Sequence, residues 1–178
     1  MHLLDLMQNS LAAGASRLDL LVREDDGRTL IVKLRDNGRG MDAATIKAVF
    51  DPFYTSRQTR RVGLGLPLLR ATAEATGGTV EIESTPGRGT EVLARFGLDH
   101  LDCPPMGDLA TTLTTVICGH AGVDVHVRIE TARGDFELDS GDLRRRLRPA
   151  DLGEPPVYAW LNNCLKHEIE QLYGGASR

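Results

Sequence analysis

Apolar residues recur along this chain of 178 residues with two different spacings, one typical of helices and the other of strands. Apolar side chains spaced three or four positions apart, as on one face of a helix, occur in residues 2–13, 66–76 and 157–173. Two-residue alternation, typical of a half-buried strand, occurs in residues 17–23 and 29–35. Weaker patterns of the same kinds predict strands at 79–84, 90–97, 123–131 and 135–139 and helices at 42–49, 107–119 and 140–148.

Turn-forming residues indicate how these elements are connected. The segment Glu24-Asp25-Asp26-Gly27 joins the first two predicted strands, and Asp-Gly is a strong hairpin signal, so we expect these strands to be antiparallel. Residues 99–106 contain two consecutive prolines and are expected to form a linker. This linker divides the chain into a first unit, 1–98, and a C-terminal extension, 99–178.

The C-terminal extension has the predicted order α-β-β-α-α and offers no catalytic constellation. Ser140 is expected to cap its short basic helix. In its final amphipathic helix, Trp160, Leu161 and Leu165 are expected to face inward. An exposed apolar face on this helix would favour a homodimer.

Composition narrows the class of protein. The net charge is only −4, which indicates neither nucleic acid nor a membrane surface as a partner. The three cysteines form no CxxC pair, so neither a disulfide framework nor a zinc site is indicated and a reduced compartment is expected. With no signal peptide and no long apolar run, we expect a soluble, cytoplasmic protein. The first predicted helix starts without a capping residue, which suggests a native start upstream of Met1.

Three polar stretches are candidates for a ligand site. Asp36-Asn-Gly-Arg-Gly-Met41 joins a strand to a helix, and a carboxylate followed by close-approach glycines suits a purine-phosphate ligand. Asp5 and Asn9 are four residues apart and would share a helix face. Gly63-Leu64-Gly65-Leu66 opens another predicted helix, whose first N–H groups could bind phosphate.

A dinucleotide-binding interpretation competes for the glycine-rich stretch. The pattern Gly38-x-Gly40-x-x-Ala43 matches the dinucleotide fingerprint literally. That fingerprint requires a parallel βαβ unit, whereas the strand before Gly38 belongs to a predicted antiparallel hairpin. The segment Phe50-Asp-Pro-Phe-Tyr54, further on, is not strand-like. We therefore disfavour this interpretation. Gly38 and Gly40 could also be ordinary turn glycines with no role in a ligand site, which would look the same in isolation.

The complete set of motifs resembles the ATP-binding domain of the GHKL superfamily, shared by sensor histidine kinases, type II topoisomerases, heat-shock chaperones and mismatch-repair ATPases. It is closest in style to the histidine-kinase-like ATPases (HATPase_c). The resemblance implies an α+β, two-layer sandwich of the Bergerat type with a mixed or antiparallel sheet over residues 1–98, followed by the small α+β extension. The motifs, in order, are Asp5-Leu-Met-Gln-Asn9-Ser-Leu-Ala-Ala-Gly-Ala15, Asp36–Met41, Phe50-Asp-Pro-Phe-Tyr-Thr-Ser-Arg57, Gly63–Leu66 and Gly77-Gly78 through Ser84–Thr90.

The resemblance also implies roles for individual residues. Asp36 would accept a hydrogen bond from the adenine 6-amino group. Asn9 would ligate Mg²⁺ through its amide oxygen. Thr90 would close the pocket, although an ordinary strand threonine is an equal alternative. The full set of implied ATP-binding residues is Asn9, Asp36, Gly38, Gly40, Met41, Phe53, Gly63, Leu64, Gly65, Leu66 and Thr90.

Asp5 is the implied catalytic residue. ATP-hydrolysing relatives have a glutamate here that positions the attacking water, and aspartate is one methylene shorter. Histidine-kinase relatives vary at this position because their nucleophile is a partner histidine. Asp5 therefore permits hydrolysis without arguing for it, and we expect slow ATPase activity at most.

Three functions are compatible with these residues. The first is a stand-alone histidine-kinase-like protein that transfers the γ-phosphoryl group of ATP to an unidentified partner. The second is a non-catalytic, nucleotide-sensing module. The third, an anti-sigma-type serine kinase, fits less well because the Phe50–Phe53 block resembles sensor kinases. The chain is expected to lack the phospho-acceptor segment of histidine kinases, and His167-Glu168 is better interpreted as solvated than as an acceptor site.

Overall fold

A computed structural model describes residues 3–25, 28–51, 65–101, 103, 106–148 and 150–174. Helices and strands alternate irregularly along these residues. The helices are α1 (Leu3–Ala12), α2 (Ala43–Ala48), α3 (Gly65–Ala75), α4 (Leu109–Gly119), α5 (Ser140–Leu147) and α6 (Pro155–Tyr173). The strands are β1 (Arg17–Glu24), β2 (Thr29–Asp36), β3 (Thr79–Thr85), β4 (Gly89–Gly97), β5 (Asp124–Thr131) and β6 (Gly134–Asp139).

The strands form one mixed sheet in the order β3-β4-β2-β1-β5-β6. β2 runs antiparallel to both of its neighbours, β1 and β4, whereas β1 and β5 are parallel. The predicted α+β class with a mixed sheet is therefore confirmed. The antiparallel neighbours of β2 also exclude a dinucleotide-binding βαβ unit at Gly38, because that unit needs parallel strands.

Alternating side chains give the sheet one apolar and one polar face. On β1, Leu18, Leu20 and Val22 are almost completely buried and belong to the main core. The opposite face carries ion pairs between neighbouring strands, such as Lys33 with Glu91 at 2.8 Å. Helix α1 packs on β2, α3 packs on β3 and β4, and α4 packs on both α1 and α6.

The C-terminal extension continues this sheet. Its strand β5 lies beside β1, with Val125 opposite Leu18. Val125, Val127 and Ile129 are fully buried in the same core cluster as Leu18. The predicted boundary at Leu98 falls between β4 and α4, so the sheet spans both predicted units.

The buried side of α1 agrees only in part with the one that periodicity indicates. The pattern favours an apolar face of Leu3, Leu4, Met7, Leu11 and Ala12, of which Leu3 and Met7 are buried. In the structure, Leu4 and Leu11 are half-buried and Ala12 is exposed. The reason is that α1 is contacted by β2, α3 and α4, and these three neighbours determine which side is covered. The buried residues of α1 are Leu3, Leu6, Met7 and Ser10.

Two expectations about the C-terminal helices are wrong. Asp139, rather than Ser140, caps α5, because its Oδ1 accepts a hydrogen bond from the Asp142 N–H at 3.0 Å. Ser140 is instead buried, and its Oγ accepts from the Val125 N–H at 2.8 Å. Trp160 is 47% exposed, since the neighbouring Leu161 occupies the buried side of α6.

None of the helices in the described part of the chain combines the length and apolar character needed to cross a bilayer.

Candidate functional site

Helix α1 presents Asp5 and Asn9 one turn apart, and α3 begins directly against them. Asp5 is half-buried and Asn9 is exposed. A Cβ atom placed on Gly65, the first residue of α3, would lie 3.1 Å from Asp5 Cβ and 3.8 Å from Asn9 Nδ2. Because the first N–H groups of a helix have no partners within it, this junction suits a phosphate group.

Asp36 ends β2 and is one of the few charged side chains that this fold buries, with 8% exposure. Ser10 Oγ donates a hydrogen bond to Asp36 Oδ2 at 2.6 Å. The Gly38 N–H donates to Asp36 Oδ1 at 2.8 Å. Both carboxylate oxygens therefore have a donor, which fixes the orientation of the side chain. Such hydrogen bonds to a charged group contribute about 1.5–3 kcal/mol each.

The loop after Asp36 is fastened to the end of α1. The Arg39 N–H donates to the Ala13 carbonyl at 3.0 Å. Asn37 Oδ1 accepts from the N–H groups of Ser16 and Arg17, each at 2.9 Å. Through these bonds the loop and the helix that carries Asn9 form one structural unit.

The same loop is also held by the turn between β3 and β4. Gly40 has φ +66°, and a Cβ there would overlap the Thr85 carbonyl oxygen, so glycine is required. The Met41 N–H donates to Ser84 Oγ at 2.8 Å. Met41 itself is half-buried.

Thr90 lies opposite Asp36 on the neighbouring strand β4. Its Oγ1 is 2.8 Å from Ser84 Oγ, which also donates to the Gly89 carbonyl at 2.9 Å. Gly89 has φ +100°, and a Cβ there would overlap the Asp36 carbonyl oxygen. Thr90 is therefore part of the polar network next to Asp36.

A polar cleft of about 260 Å³ opens at this end of the strands. Asp36, Ser84 and Thr90 line it together with Arg35 and Glu91, which lie on the opposite face of the sheet. Its volume is below the usual range of pockets for small molecules, about 300–1,000 Å³. Asp5, Asn9 and Gly65 are outside this lining, so the cleft represents only the Asp36 end of the candidate site.

Three implied ATP-binding residues, Phe53, Gly63 and Leu64, lie outside the described residues. Leu66 is half-buried and packs against the hydrophobic core from the first turn of α3.

Two serines join the described site residues, and sequence reasoning missed both. Ser10 follows Asn9 and contacts Asp36, so it links the Asp5–Asn9 group to the Asp36 end of the candidate site. Ser84 links the loop at Met41 to Thr90. Ser10 could have been found from the sequence, because it is a polar residue seven positions after Leu3 on the buried face of α1.

Asn9 is the residue most suited to a Mg²⁺ ion. Among the described residues, no group of three or more His, Cys, Asp or Glu side chains could enclose a metal. Mg²⁺ commonly takes only one or two protein ligands and completes its shell with water and substrate phosphates. An exposed amide beside a helix N-terminus fits this pattern of binding.

Asp42 is the N-cap of α2 and directly follows the loop. Its Oδ1 accepts from the Thr45 N–H at 2.7 Å. This hydrogen bond, assisted by the Thr45 hydroxyl, lowers the pKa of the Asp42 carboxyl below its ordinary value. The cap therefore stays ionised and fixes where the loop ends and the helix starts.

With this geometry, the chain belongs to the family of histidine kinase-, DNA gyrase B- and HSP90-like ATPases, whose model matches residues 2–100. It therefore contains an ATP-binding domain of the GHKL type that occurs in histidine kinases and in MutL, and the family implies that it binds ATP.

Similar proteins come from two branches of this superfamily. The sensor histidine kinase YxdK of Bacillus subtilis (strain 168) is 39% identical over 89 residues, which cover 48% of this chain and 27% of that protein. The DNA mismatch repair protein MutL of Gemmatimonas aurantiaca is 36% identical over 101 residues, covering 52% of this chain and 16% of MutL. The chain thus matches only a minor part of the length of each relative.

A solved structure supports the fold beyond the family-matched residues. The crystal structure of the N-terminal domain of a DNA repair protein superposes with a TM-score of 0.54 and 15% identity. The superposition covers 78% of this chain and 50% of that chain. This is a larger share than residues 2–100, so the similarity in fold includes part of the C-terminal extension.

Proposed function

We propose that this protein binds ATP together with Mg²⁺ and transfers the γ-phosphoryl group to a partner protein, or hydrolyses ATP slowly. The main support is one juxtaposition. Asp5 and Asn9 lie against Gly65 at the start of α3, and Ser10 ties the same helix to Asp36. The candidate phosphate-side residues and the residue that bonds to Asp36 are thereby carried by one short helix.

Each group has a role that its surroundings support. Asp36 accepts a hydrogen bond from the adenine 6-amino group, in a position fixed by Ser10 and Gly38. The first turn of α3 donates N–H groups to the phosphates. Asn9 holds Mg²⁺, which would neutralise charge on the transferring phosphate.

Phosphoryl transfer forms a bond between the incoming nucleophile and the γ-phosphorus, while the bond from that phosphorus to the β,γ-bridging oxygen breaks and ADP leaves. The half-buried Asp5 accepts the proton that the nucleophile loses. The acceptor is a side chain of the partner, or water in the slow hydrolytic reaction. Because aspartate is short, Asp5 suits an acceptor that approaches closely better than it suits a distant water.

A nucleotide-sensing module without phosphoryl transfer is the second candidate. One observation favours it: α4 of the C-terminal extension packs against α1, the helix that carries Asp5 and Asn9. A shift of α1 on ATP binding would be transmitted to α4 through this contact and could alter an interaction with a partner. Self-association through exposed Trp160 of α6 is a further prediction about partners.

Incubation of the purified protein with Mg²⁺ and γ-labelled ATP, alone and with lysate fractions of its host, tests the proposal. Label on another protein is expected, and its stability to acid would distinguish phosphohistidine from phosphoserine. Tight ATP binding with neither transfer nor hydrolysis would favour the sensing module. Absence of ATP binding would contradict both.

Two substitutions separate binding from turnover. Asp36→Asn should abolish ATP binding, because the amide cannot replace both acceptor oxygens. Asp5→Ala should leave the Kd for ATP within about twofold but reduce labelling of the acceptor by about 100-fold or more. Asp19→Asn is the matched control, since Asp19 lies in β1 and pairs with Arg17 at 2.8 Å. Equal labelling by Asp5→Ala and the unmodified protein would remove Asp5 from the mechanism.

A further inference from the structure

Ser10 is an unusual residue for its place in α1. It is 5% exposed and lies on the same side of the helix as the buried Leu3, Leu6 and Met7. A buried hydroxyl without a partner would destabilise the fold by about 1–3 kcal/mol. Ser10 avoids this by donating to Asp36 Oδ2, a partner 26 residues away in sequence.

Two other buried hydroxyls, those of Thr114 and Thr76, donate within their own helix or its final turn, whereas the buried Ser140 Oγ accepts from the Val125 N–H. Thr114 Oγ1 donates to the Ala110 carbonyl at 2.8 Å, and Thr76 Oγ1 donates to the Ala73 carbonyl at 2.8 Å. This local bond is the usual solution for a serine or threonine inside a helix. Ser10 instead donates its only proton to a carboxylate, so we assign it the role of holding Asp36 in position.

That choice has a chemical consequence for the ligand. A hydroxyl has one proton and two lone pairs, so Ser10 Oγ can act only as an acceptor once its proton is donated to Asp36. The ionised carboxylate also only accepts because it has no proton, and Gly38 N–H already donates to its Oδ1. The pocket at this point therefore contains neighbouring acceptors and no hydroxyl donor from α1. It suits a ligand that brings N–H groups.

We infer that Ser10 is a positioning residue that makes the site selective for 6-amino over 6-oxo purines by holding Asp36 as an oriented acceptor. This inference rests on the proposed function, because it takes Asp36 as the group that contacts the base. A 6-amino group supplies N–H donors to the carboxylate. A 6-oxo group would place a carbonyl oxygen against the carboxylate, and Ser10 has no second proton to bridge them.

The test compares ATP with inosine triphosphate, which has a 6-oxo group and an N1–H where ATP has a 6-amino group and an unprotonated N1, and which carries no 2-amino group. Dissociation constants for both nucleotides are measured by calorimetry for the unmodified protein, Ser10→Ala and Ser10→Thr. We expect Ser10→Ala to raise the Kd for ATP by about tenfold and to leave the weaker binding of inosine triphosphate almost unchanged. Ser10→Thr keeps the hydroxyl and should retain most of the selectivity.

Ser16→Ala is the matched control. Ser16 directly precedes β1, and its Oγ accepts from Asn37 Nδ2 at 2.9 Å, so this change removes a hydroxyl near the loop without altering a bond to Asp36. Its ratio of ATP to inosine triphosphate affinity should equal that of the unmodified protein.

A purely structural role for Ser10 predicts a different result. Ser10→Ala would then raise the Kd values for both nucleotides by the same factor and lower the thermal midpoint of unfolding. The ratio of the two Kd values would not change. That outcome overturns the inference and leaves the proposed function intact. An unmodified protein that binds neither nucleotide would instead overturn the proposed function and this inference with it.

Discussion

The two ends of the sheet bury polar groups in different ways. In the part formed by β1 to β4, Ser10 and Asp36 are buried and bond to each other across the fold. In the C-terminal part, Thr114 Oγ1 donates to a carbonyl of its own helix, and Ser140 Oγ accepts from the backbone N–H of Val125 on β5. A bond between two buried side chains fixes the orientation of both, whereas a bond to the backbone satisfies a single side chain.

The glycines show the same contrast. Gly40 and Gly89, beside Asp36, have positive φ angles and lie so close to backbone carbonyls that no Cβ would fit. Gly107 also has a positive φ, but a Cβ there would meet nothing within 4 Å. Gly78 and Gly97, which are away from Asp36, also lie too close to backbone carbonyls for a Cβ. Close approach of glycines to backbone is therefore a feature of the part formed by β1 to β4, and two of its four instances are beside Asp36.

The largest expected effect tests whether the two parts unfold together. Leu69 in α3 and Leu113 in α4 are both almost fully buried, at 1% and 0% exposure. Replacement of either by alanine should lower the free energy of unfolding by about 2–5 kcal/mol. Because both belong to one core cluster, we expect a single transition in urea for each variant.

Leu101→Ala is the control, since Leu101 is 98% exposed and should change stability by at most about 0.5 kcal/mol. Two separate transitions, with only one shifted by Leu113→Ala, would mean that the two parts are independent.

A smaller effect should separate the site glycines from ordinary turn glycines. Gly40→Ala places a methyl group against the Thr85 carbonyl in addition to the strain of φ +66°. We expect a loss of about 2–3 kcal/mol and clearly weaker ATP binding, measured by thermal unfolding and calorimetry.

Gly87→Ala offers the comparison, because its φ is +76° with nothing within 4 Å. It should lose only about 1 kcal/mol and bind ATP normally. Equal effects of the two substitutions would contradict a special role for Gly40.

The smallest effect concerns the start of the C-terminal part. Asp108 caps α4, and hydrogen bonds from the Thr111 hydroxyl and N–H lower the pKa of its carboxyl. A lowered pKa in the folded state means that this stabilisation is present above the ordinary aspartate range and is lost as the pH falls through the folded pKa. Because Asp108 is largely exposed, solvent screening keeps the contribution small.

Asp108→Ala should therefore lower stability by about 1 kcal/mol at pH 7, and the difference should shrink as the pH falls below about 4. Asp108→Asn keeps an acceptor oxygen and should show a smaller loss without this pH dependence. A difference that persists unchanged at low pH would exclude the carboxylate as its source.

Much of the fold was readable from local pattern. Strand periodicity placed β1 and β2, and the Asp-Gly turn correctly predicted their antiparallel pairing. The glycine-rich stretch at Asp36 and the Asp5–Asn9 spacing led to the family that the comparisons confirm. These features are local because a helix repeats within four residues, a strand within two, and a motif within one loop.

What the sequence by itself determined, then, is the family and the order of elements, while the residues that a ligand could contact are its prediction. Only the tertiary structure decided that β5 pairs with β1, that Trp160 of α6 is exposed, and that Ser10 bonds to Asp36. Each of these depends on which surfaces meet after the chain has folded back on itself. Periodicity indicates that Ser10 lies on the buried side of α1 and therefore needs a hydrogen-bond partner. Which residue becomes that partner is decided by the packing of α1 on β2.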